Sequence, residues 1–213
     1  MIIVCGGIKG GSGKTTVATN LAVMRAAEGY DVLLVDADDQ ETATDFTIQR
    51  NLRTNDQAGY TSTKLTDDAV RTQVKRFSNK YSDIIIDTGG RDTRSQRSAL
   101  VVADALLVPF LPRSFDVWTV EKVAQLVGEV RAVNERLKTY FFLNRADASG
   151  QDNADAVEIL RDIEGIEFID VVIGSRKAFG KAASLGLGVT EYKPQDAKAC
   201  DEITSLYRYV FSF

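Results

Sequence analysis

The sequence of 213 residues contains no histidine, two cysteines and three prolines. Histidine is the commonest general base and the commonest transition-metal ligand, so its absence leaves carboxylates, lysine, tyrosine or water to move protons. Cys5 and Cys200 lie far apart in sequence, form no metal-ligand pattern, and are expected to stay free thiols in an intracellular chain. The scarcity of proline, with no low-complexity tract, argues against linkers and disorder.

Long hydrophobic runs are also missing. No apolar stretch reaches the ~18 residues that a membrane span requires, and the chain enters the apolar run Ile2–Val4 without a basic leader. We therefore expect a cytoplasmic protein with no membrane partner. The net charge of −4 and a pI near 5.0 exclude a strongly basic surface overall, so binding to nucleic acid would need a local basic patch.

Short apolar runs alternate with helical patterns along the chain, and 44% of the residues are hydrophobic, enough for one full core in a single domain, 1–213. The predicted strands are Ile2–Cys5, Val32–Val35, Ile84–Asp87, Ala105–Phe110, Tyr140–Asn144 and Phe168–Ile173, with a weaker one at Tyr60–Lys64. The predicted helices are Thr15–Glu28, Asp67–Ser78, Asp116–Leu137, Asp152–Ile163 and Gln195–Phe211. This alternation predicts an α/β fold: a doubly wound, mostly parallel sheet with helices on both faces. Such sheets bind ligands at the carboxyl ends of their strands.

A glycine-rich segment follows the first predicted strand and opens the first predicted helix. Its glycines allow a tight loop with inward-pointing N–H groups, and at a helix N-terminus such a loop cradles phosphate. Lys14 can reach the β- and γ-phosphates of a triphosphate, and the Thr15 hydroxyl can bind Mg²⁺. The residues predicted to bind the nucleotide here are Gly10, Gly11, Ser12, Gly13, Lys14, Thr15 and Thr16.

The loop departs from the common phosphate-loop pattern in two places. Ile8 stands where G-x-x-x-x-G-K-[ST] has its first glycine, and Lys9 adds a second lysine five residues before Lys14. The result is K-G-G-x-x-K-[ST], the deviant form of the phosphate loop (P-loop).

Carboxylates follow two of the predicted strands. Asp36, Asp38 and Asp39 come directly after the second strand, and Asp87 ends the third. At strand tips beside a triphosphate loop, such side chains can hold Mg²⁺, directly or through water, and can orient an attacking water. Gly89 follows within the same turn and gives it a backbone that can move with the state of the γ-phosphate.

Asn144 and Arg145 follow a further strand. The Asn144 amide offers donors and an acceptor that match an edge of adenine, although an asparagine at a strand end is more often a turn former.

Together these segments resemble the ParA/MinD family of deviant P-loop ATPases, and most of all small ParA-type partition proteins without an N-terminal DNA-binding domain. The resemblance covers essentially the whole chain. Its motifs are Lys9–Thr16, Val35–Gln40, Ile86–Gly90 and Asn144-Arg145.

The resemblance implies ATP/ADP and Mg²⁺ as cofactors and a role for each motif residue. Lys9 would cross a dimer interface to the partner's phosphates, and Lys14 would serve the ATP of its own chain. Asp38 would position the hydrolytic water. Thr15, Asp36 and Asp87 would lie at the metal, and Asn144 with Arg145 at the base. Asp39 replaces the family's usual proline, and Gly89-Gly90 replace prolines found in many members, which predicts an altered hydrolysis rate and a more mobile turn.

The function implied is that of a DNA-segregation ATPase in the nucleoid. ATP would be sandwiched in a homodimer, the dimer would bind nonspecific double-stranded DNA, and a ParB-like adaptor would stimulate hydrolysis. A basic patch in the C-terminal third would contact the DNA, with candidate residues Arg176, Lys177, Lys181, Lys193, Lys198 and Arg208.

Other functions remain open at this point. A ParA-like ATPase could position a protein cargo such as a microcompartment or a chemosensory cluster, because the partner chooses the cargo. A MinD-like membrane regulator would need a basic amphipathic terminal helix, and Gln195–Phe211 carries more acidic than basic residues. An iron–sulfur reductase would need cysteines that Cys5 and Cys200 do not supply. An ATP-dependent ligase or a non-hydrolysing switch completes the alternatives.

Overall fold

The computed structural model describes residues 1–112, 117–147, 151–161 and 163–212, which form one seven-stranded sheet flanked by helices. The strands are β1 (Ile2–Cys5), β2 (Val32–Ala37), β3 (Thr61–Lys64), β4 (Asp83–Thr88), β5 (Ala105–Phe110), β6 (Lys138–Ala146) and β7 (Glu167–Gly174). The helices are α1 (Lys14–Ala27), α2 (Thr42–Thr54), α3 (Asp68–Phe77), α4 (Arg94–Leu100), α5 (Val117–Arg131), α6 (Gln151–Arg161), α7 (Lys177–Ala183) and α8 (Ala197–Phe211).

The sheet has the order β3-β2-β4-β1-β5-β6-β7, and every described pair of neighbouring strands is parallel. This confirms the predicted α/β fold with a doubly wound parallel sheet. The order reverses on either side of β1, so the P-loop that follows β1 emerges at the switch point of the sheet. The carboxyl ends of β2, β4 and β6 lie at the same edge.

Both faces of the sheet are covered, as continuous apolar strands predict. Along β1, Ile3 and Cys5 pack into one core layer with α1 and α8, whereas Val4 packs into the opposite layer with α3 and α5. Successive side chains of a strand point to opposite faces, so each strand contributes to both layers. Among the described helices, none is long and apolar enough to cross a membrane.

All seven predicted strands are confirmed, with bounds that differ by a few residues. Three helices were not predicted: α2, with 13 residues, and the seven-residue helices α4 and α7. The prediction of a helix over Asp116–Leu137 is wrong at its end, because α5 stops at Arg131. Asn134 lies in the turn that follows, where its side-chain amide donates to the carbonyls of Leu100 and Ala103 at 2.8 Å each. The predicted start at Asp116 lies outside the described residues.

Candidate nucleotide-binding site

A cavity of about 1120 Å³ lies at the carboxyl edge of the sheet. Its walls come from the P-loop, from the first switch segment (residues 36–40), from the second switch segment (residues 87–90) and from the ends of β6 and β7. The fold therefore brings together segments that are more than 100 residues apart in sequence. Lining residues among those predicted from sequence are Gly10, Gly11, Gly13, Lys14, Thr15, Thr16, Asp38, Asn144 and Arg145.

The P-loop is held in place from behind by β6. The Asn144 amide nitrogen donates to the Ser12 carbonyl at 2.6 Å, and the Arg145 guanidinium donates to the Gly11 carbonyl at 3.0 Å. Gly13, which caps α1, has a φ of +94°, and a Cβ there would lie 2.3 Å from the Asn144 amide nitrogen. Glycine is required at this position on both grounds. Asn144 thus supports the loop, a role that the sequence did not predict.

The two lysines of the loop differ in their surroundings. Lys14 is buried, and its ammonium donates to the Lys9 carbonyl at 2.9 Å across the loop. Burial lowers the pKa of Lys14, while the carboxylates of Asp87 and Asp38 oppose that shift. Lys9 is half-buried at the loop apex, and its ammonium has no hydrogen-bond or ion-pair partner among the described residues. Lys14 therefore faces the phosphate cradle, and Lys9 remains available to a group outside it.

Asp36 and Asp87 lie side by side on neighbouring strands, paired in register between β2 and β4. The Asp36 carboxylate is fully buried and accepts hydrogen bonds from the Thr44 amide and hydroxyl, both at 2.8 Å, and from the Asp38 amide at 3.2 Å. These bonds tie the first switch segment to the start of α2. Oδ2 accepts two of these bonds and Oδ1 only one, so Oδ1 keeps an acceptor position that a metal-bound water would use.

Asp87 is fully buried, and neither of its carboxylate oxygens has a hydrogen-bond partner within the described part of the chain. Burial raises the pKa of Asp87 to about 7; the nearby Asp36 adds to that shift, and Thr15 and Lys14 oppose it. An unpartnered buried carboxylate is costly unless a ligand or ion satisfies it. This donor set, a carboxylate beside a threonine hydroxyl, fits Mg²⁺.

The two switch segments and the P-loop meet at two glycines. A Cβ on Gly89 would lie 3.0 Å from the Asp38 carboxylate, and a Cβ on Gly90 would lie 2.6 Å from the Gly10 backbone. Asp38 itself is half-buried and accepts a hydrogen bond from the Gln40 amide at 3.2 Å. Glycine is therefore required at position 90 for close packing in this conformation, whereas a side chain at position 89 would need only a small shift of the Asp38 carboxylate.

Gln96 of α4 contacts the backbone before the P-loop and the end of β4, and the sequence analysis did not identify it as a site residue. Its side-chain oxygen accepts from the Gly7 amide at 3.0 Å and lies 3.0 Å from the Thr88 hydroxyl. Gln96 is completely buried. It links the start of the P-loop to the second switch segment, and no signal in the sequence pointed to it, because helix α4 itself was not predicted.

The predicted DNA-contacting residues do not form one free cluster. Arg176 is paired with Glu202 of α8 through two hydrogen bonds, one of them at 2.7 Å. Lys177, Lys181 and Lys198 are exposed. Arg208 lies ten residues beyond Lys198 on α8, a separation of about 15 Å along the helix axis.

Comparison with known proteins agrees with this geometry. The family described as the CobQ/CobB/MinD/ParA nucleotide binding domain matches residues 2–189. The maintenance of carboxysome distribution protein A of Halothiobacillus neapolitanus is 24% identical over 205 residues, covering 95% of this chain and 93% of that protein. Protein ParA of Rhizobium radiobacter is 25% identical over 135 residues, covering 63% of this chain and 60% of that protein.

Among solved structures, one of a plasmid-partition-type protein of Borrelia burgdorferi B31 with AMPPNP bound superimposes with a TM-score of 0.76. The two sequences are 17% identical, and the match covers all of this chain and 99% of that one. At this identity the likeness establishes the fold. Because the family match spans most of the chain and includes the deviant P-loop, the protein belongs to the CobQ/CobB/MinD/ParA nucleotide-binding family, as a ParA/MinD-type member.

Proposed function

We propose that this protein is an ATP-hydrolysing partition ATPase that dimerises around ATP and then binds nonspecific DNA. The observation that carries the nucleotide-binding part of the proposal is the buried Asp87 carboxylate, which lies beside Lys14 and Thr15 at the base of the phosphate cradle and makes no close hydrogen bond in the described part of the chain. An unsatisfied acceptor and a buried cation at a helix N-terminus suit a metal-bound triphosphate.

Each site residue has a distinct part in this proposal. The amides of the P-loop and the Lys14 ammonium bind the phosphates, and Asn144 and Arg145 support the loop and line the side where the base would lie. Thr15 and Asp87 are placed to hold Mg²⁺, with Asp36 acting through water. The bound cation would neutralise charge on the β- and γ-phosphate oxygens.

Asp38 is the residue proposed to orient the attacking water. It is the half-buried carboxylate at the mouth of the cradle, next to the backbone of Gly89. Asp39 is exposed and lines the same cavity. It occupies the position of the proline that is usual in the ParA/MinD family, so we expect the hydrolysis rate to depend on Asp39 as well.

The dimer is supported by the position of Lys9. Two facing triphosphates repel each other unless cations lie between them, and the Lys9 ammonium has no partner in the described part of its own chain. We infer that it binds the phosphates of the second subunit. A ParB-like adaptor and location on the nucleoid follow from the same proposal.

A second candidate is the positioning of a protein cargo. It is favoured by the match to a carboxysome distribution protein, which extends over 93% of that relative's length. In this alternative the ATPase cycle is unchanged and the adaptor binds a protein assembly instead of a DNA site.

Two variants test the ATPase. Lys14→Ala removes the cation from the phosphates and is expected to abolish binding of a fluorescent ATP analogue, with the circular dichroism spectrum unchanged. Asp38→Ala is expected to keep ATP binding and to slow hydrolysis by ~10²-fold or more. The exposed Lys75→Ala is the control for loss of one positive charge. Normal ATP binding by Lys14→Ala, beside normal binding by the control, would refute the site.

A further inference from the structure

We propose that Arg91 supplies a further cation to the site and binds the γ-phosphate of the ATP held by its own chain. The inference rests on the proposed function, because it assigns an additional residue to the same nucleotide. Arg91 directly follows the second switch segment and lines the nucleotide cavity together with Gly90 and Thr93.

The backbone brings Arg91 close to the phosphate cradle. Gly90 packs so tightly on the P-loop that a Cβ there would lie 2.6 Å from Gly10 and 2.9 Å from the Lys9 carbonyl carbon. The residue after Gly90 therefore begins at the apex of the P-loop. From this point a long side chain reaches the region where the γ-phosphate must lie, between the P-loop and Asp38.

The charge pattern around Arg91 distinguishes it from its neighbours. Three arginines are spaced three residues apart, and two of them are neutralised by carboxylates. Arg94 pairs with Asp68 of α3, and Arg97 pairs with Asp92 at 2.6 Å and with Glu129 at 2.7 Å. Arg91 has no ion-pair or hydrogen-bond partner in the described ranges, and its side chain is exposed.

Arg91 also lines a second cavity of about 310 Å³, between Ile8 and α5. Arg91 thus lines both cavities, and rotation about its side-chain bonds would carry the guanidinium toward one or the other. Its neighbours Arg94 and Arg97 are held to carboxylates and lack this freedom. A guanidinium offers a planar pair of donors that matches phosphate oxygens, and the charge on those oxygens is greatest at the γ-phosphate.

Comparing a diphosphate with a triphosphate tests the assignment. Binding of ADP and of AMPPNP, both with Mg²⁺, is measured by calorimetry for the parent, Arg91→Ala, Arg91→Lys and Arg94→Ala. Arg91→Ala is expected to lower the affinity for AMPPNP by about 10-fold or more and the affinity for ADP by less than about twofold. Arg91→Lys should recover part of the loss, since it keeps the charge without the planar donors. Arg94→Ala should bind both nucleotides like the parent.

The outcomes separate this proposal from the proposed function. A parent protein that binds neither nucleotide refutes the function. A parent that binds both, with an unchanged ratio of AMPPNP to ADP affinity in Arg91→Ala, refutes the role of Arg91 alone. Equal weakening of both nucleotides also overturns it, because a general effect on the fold would do the same. Repeating the comparison in a Lys9→Ala background removes the proposed cross-subunit contact. If Arg91→Ala no longer lowers the AMPPNP affinity in the Lys9→Ala background, the proposal that Arg91 binds the nucleotide of its own chain is wrong.

Discussion

At the scale of single residues, two features define the site: a position with no room for a side chain and a buried carboxylate without a close hydrogen bond. A side chain at position 90 would collide with backbone atoms of the P-loop, and the buried Asp87 carboxylate makes no close hydrogen bond in the described structure. The sequence predicted that Asp87 and Lys14 belong to the site, because their motifs specify the chemistry. It could not predict that Gly90 packs on Gly10, since that contact depends on how two distant loops meet in space.

The packing of Gly90 gives a prediction for stability. Gly90→Ala places a Cβ 2.6 Å from the Gly10 backbone, so the second switch segment must move away from the P-loop. Overpacking of this kind lowers the free energy of unfolding by ~1–3 kcal/mol. Urea denaturation monitored by circular dichroism measures the change.

Gly128→Ala is the matched control for this variant. Gly128 lies inside α5, and a Cβ there meets nothing within 4 Å. Because alanine is the better helix former, this substitution should raise the free energy of unfolding by ~0.5–1 kcal/mol. Equal stability of the two variants would show that Gly90 does not pack tightly on the loop.

At the scale of elements, the sequence predicted strands better than helices. Strands β2 and β4 are continuous apolar runs buried on both faces, and this pattern is easily recognised. Helix α4 was missed because it is only seven residues long and its buried face is mostly polar: Ser95, Gln96 and Ser98 are buried beside Ala99 and Leu100. Helix α2 likewise buries Thr47 and Arg50. Contacts with residues distant in sequence stabilise these two helices, so a search for hydrophobic periodicity does not detect them.

Helix α2 is held to the loop before α8 by one such partner. The Arg50 guanidinium is buried and binds the Glu191 carboxylate through two hydrogen bonds, at 2.7 and 2.9 Å. Burial alone would raise the pKa of Glu191, but the bonds from Arg50 and from the Gly188 amide outweigh it and hold the pKa below its ordinary value. Ionised Glu191 therefore stabilises the fold.

This pair gives a pH-dependent prediction. At pH 7, Glu191→Gln leaves the Arg50 charge buried without a counter-ion and should lower the free energy of unfolding by ~1–3 kcal/mol, a modest range because Glu191 is about one-third exposed. A lowered carboxyl pKa stabilises the folded state at pH values above the ordinary glutamate pKa of about 4.3. The difference between parent and variant should therefore be constant above that pH and shrink as the pH falls through the lowered pKa of Glu191.

Chemical denaturation at several pH values, over about four units from roughly pH 3 to pH 7, measures that difference in the free energy of unfolding. The exposed Glu164→Gln is the control for removing one carboxylate. A difference that grows toward low pH would contradict the assignment of Arg50 and Glu191 as a stabilising pair.

At the scale of the whole molecule, an acidic protein must concentrate its cations on one surface to bind DNA. The net charge is −4, and the structure ties Arg176 of the predicted patch to Glu202. The other candidates are exposed, and two of them, Lys177 and Lys181, lie one helical turn apart on α7, with Lys177 also at the wall of the nucleotide cavity. Helix α3 presents a comparable exposed pair, Arg71 and Lys75, at the same spacing. The two pairs lie on opposite sides of the sheet, since α7 and α3 pack into different core layers.

These two pairs allow a matched test of the DNA surface. In an Asp38→Ala background with ATP, where light scattering should show a dimer, binding to random duplex DNA is measured at several salt concentrations. If α7 carries the surface, Lys177→Ala/Lys181→Ala should weaken binding and reduce the slope of log affinity against log salt by about two per chain, because two phosphate contacts are lost. Arg71→Ala/Lys75→Ala changes the net charge equally and should leave the slope unchanged. The reverse result would place the DNA surface on α3. No binding by the dimeric parent itself would exclude DNA as the surface on which the dimer acts and would favour a membrane or a purely protein partner.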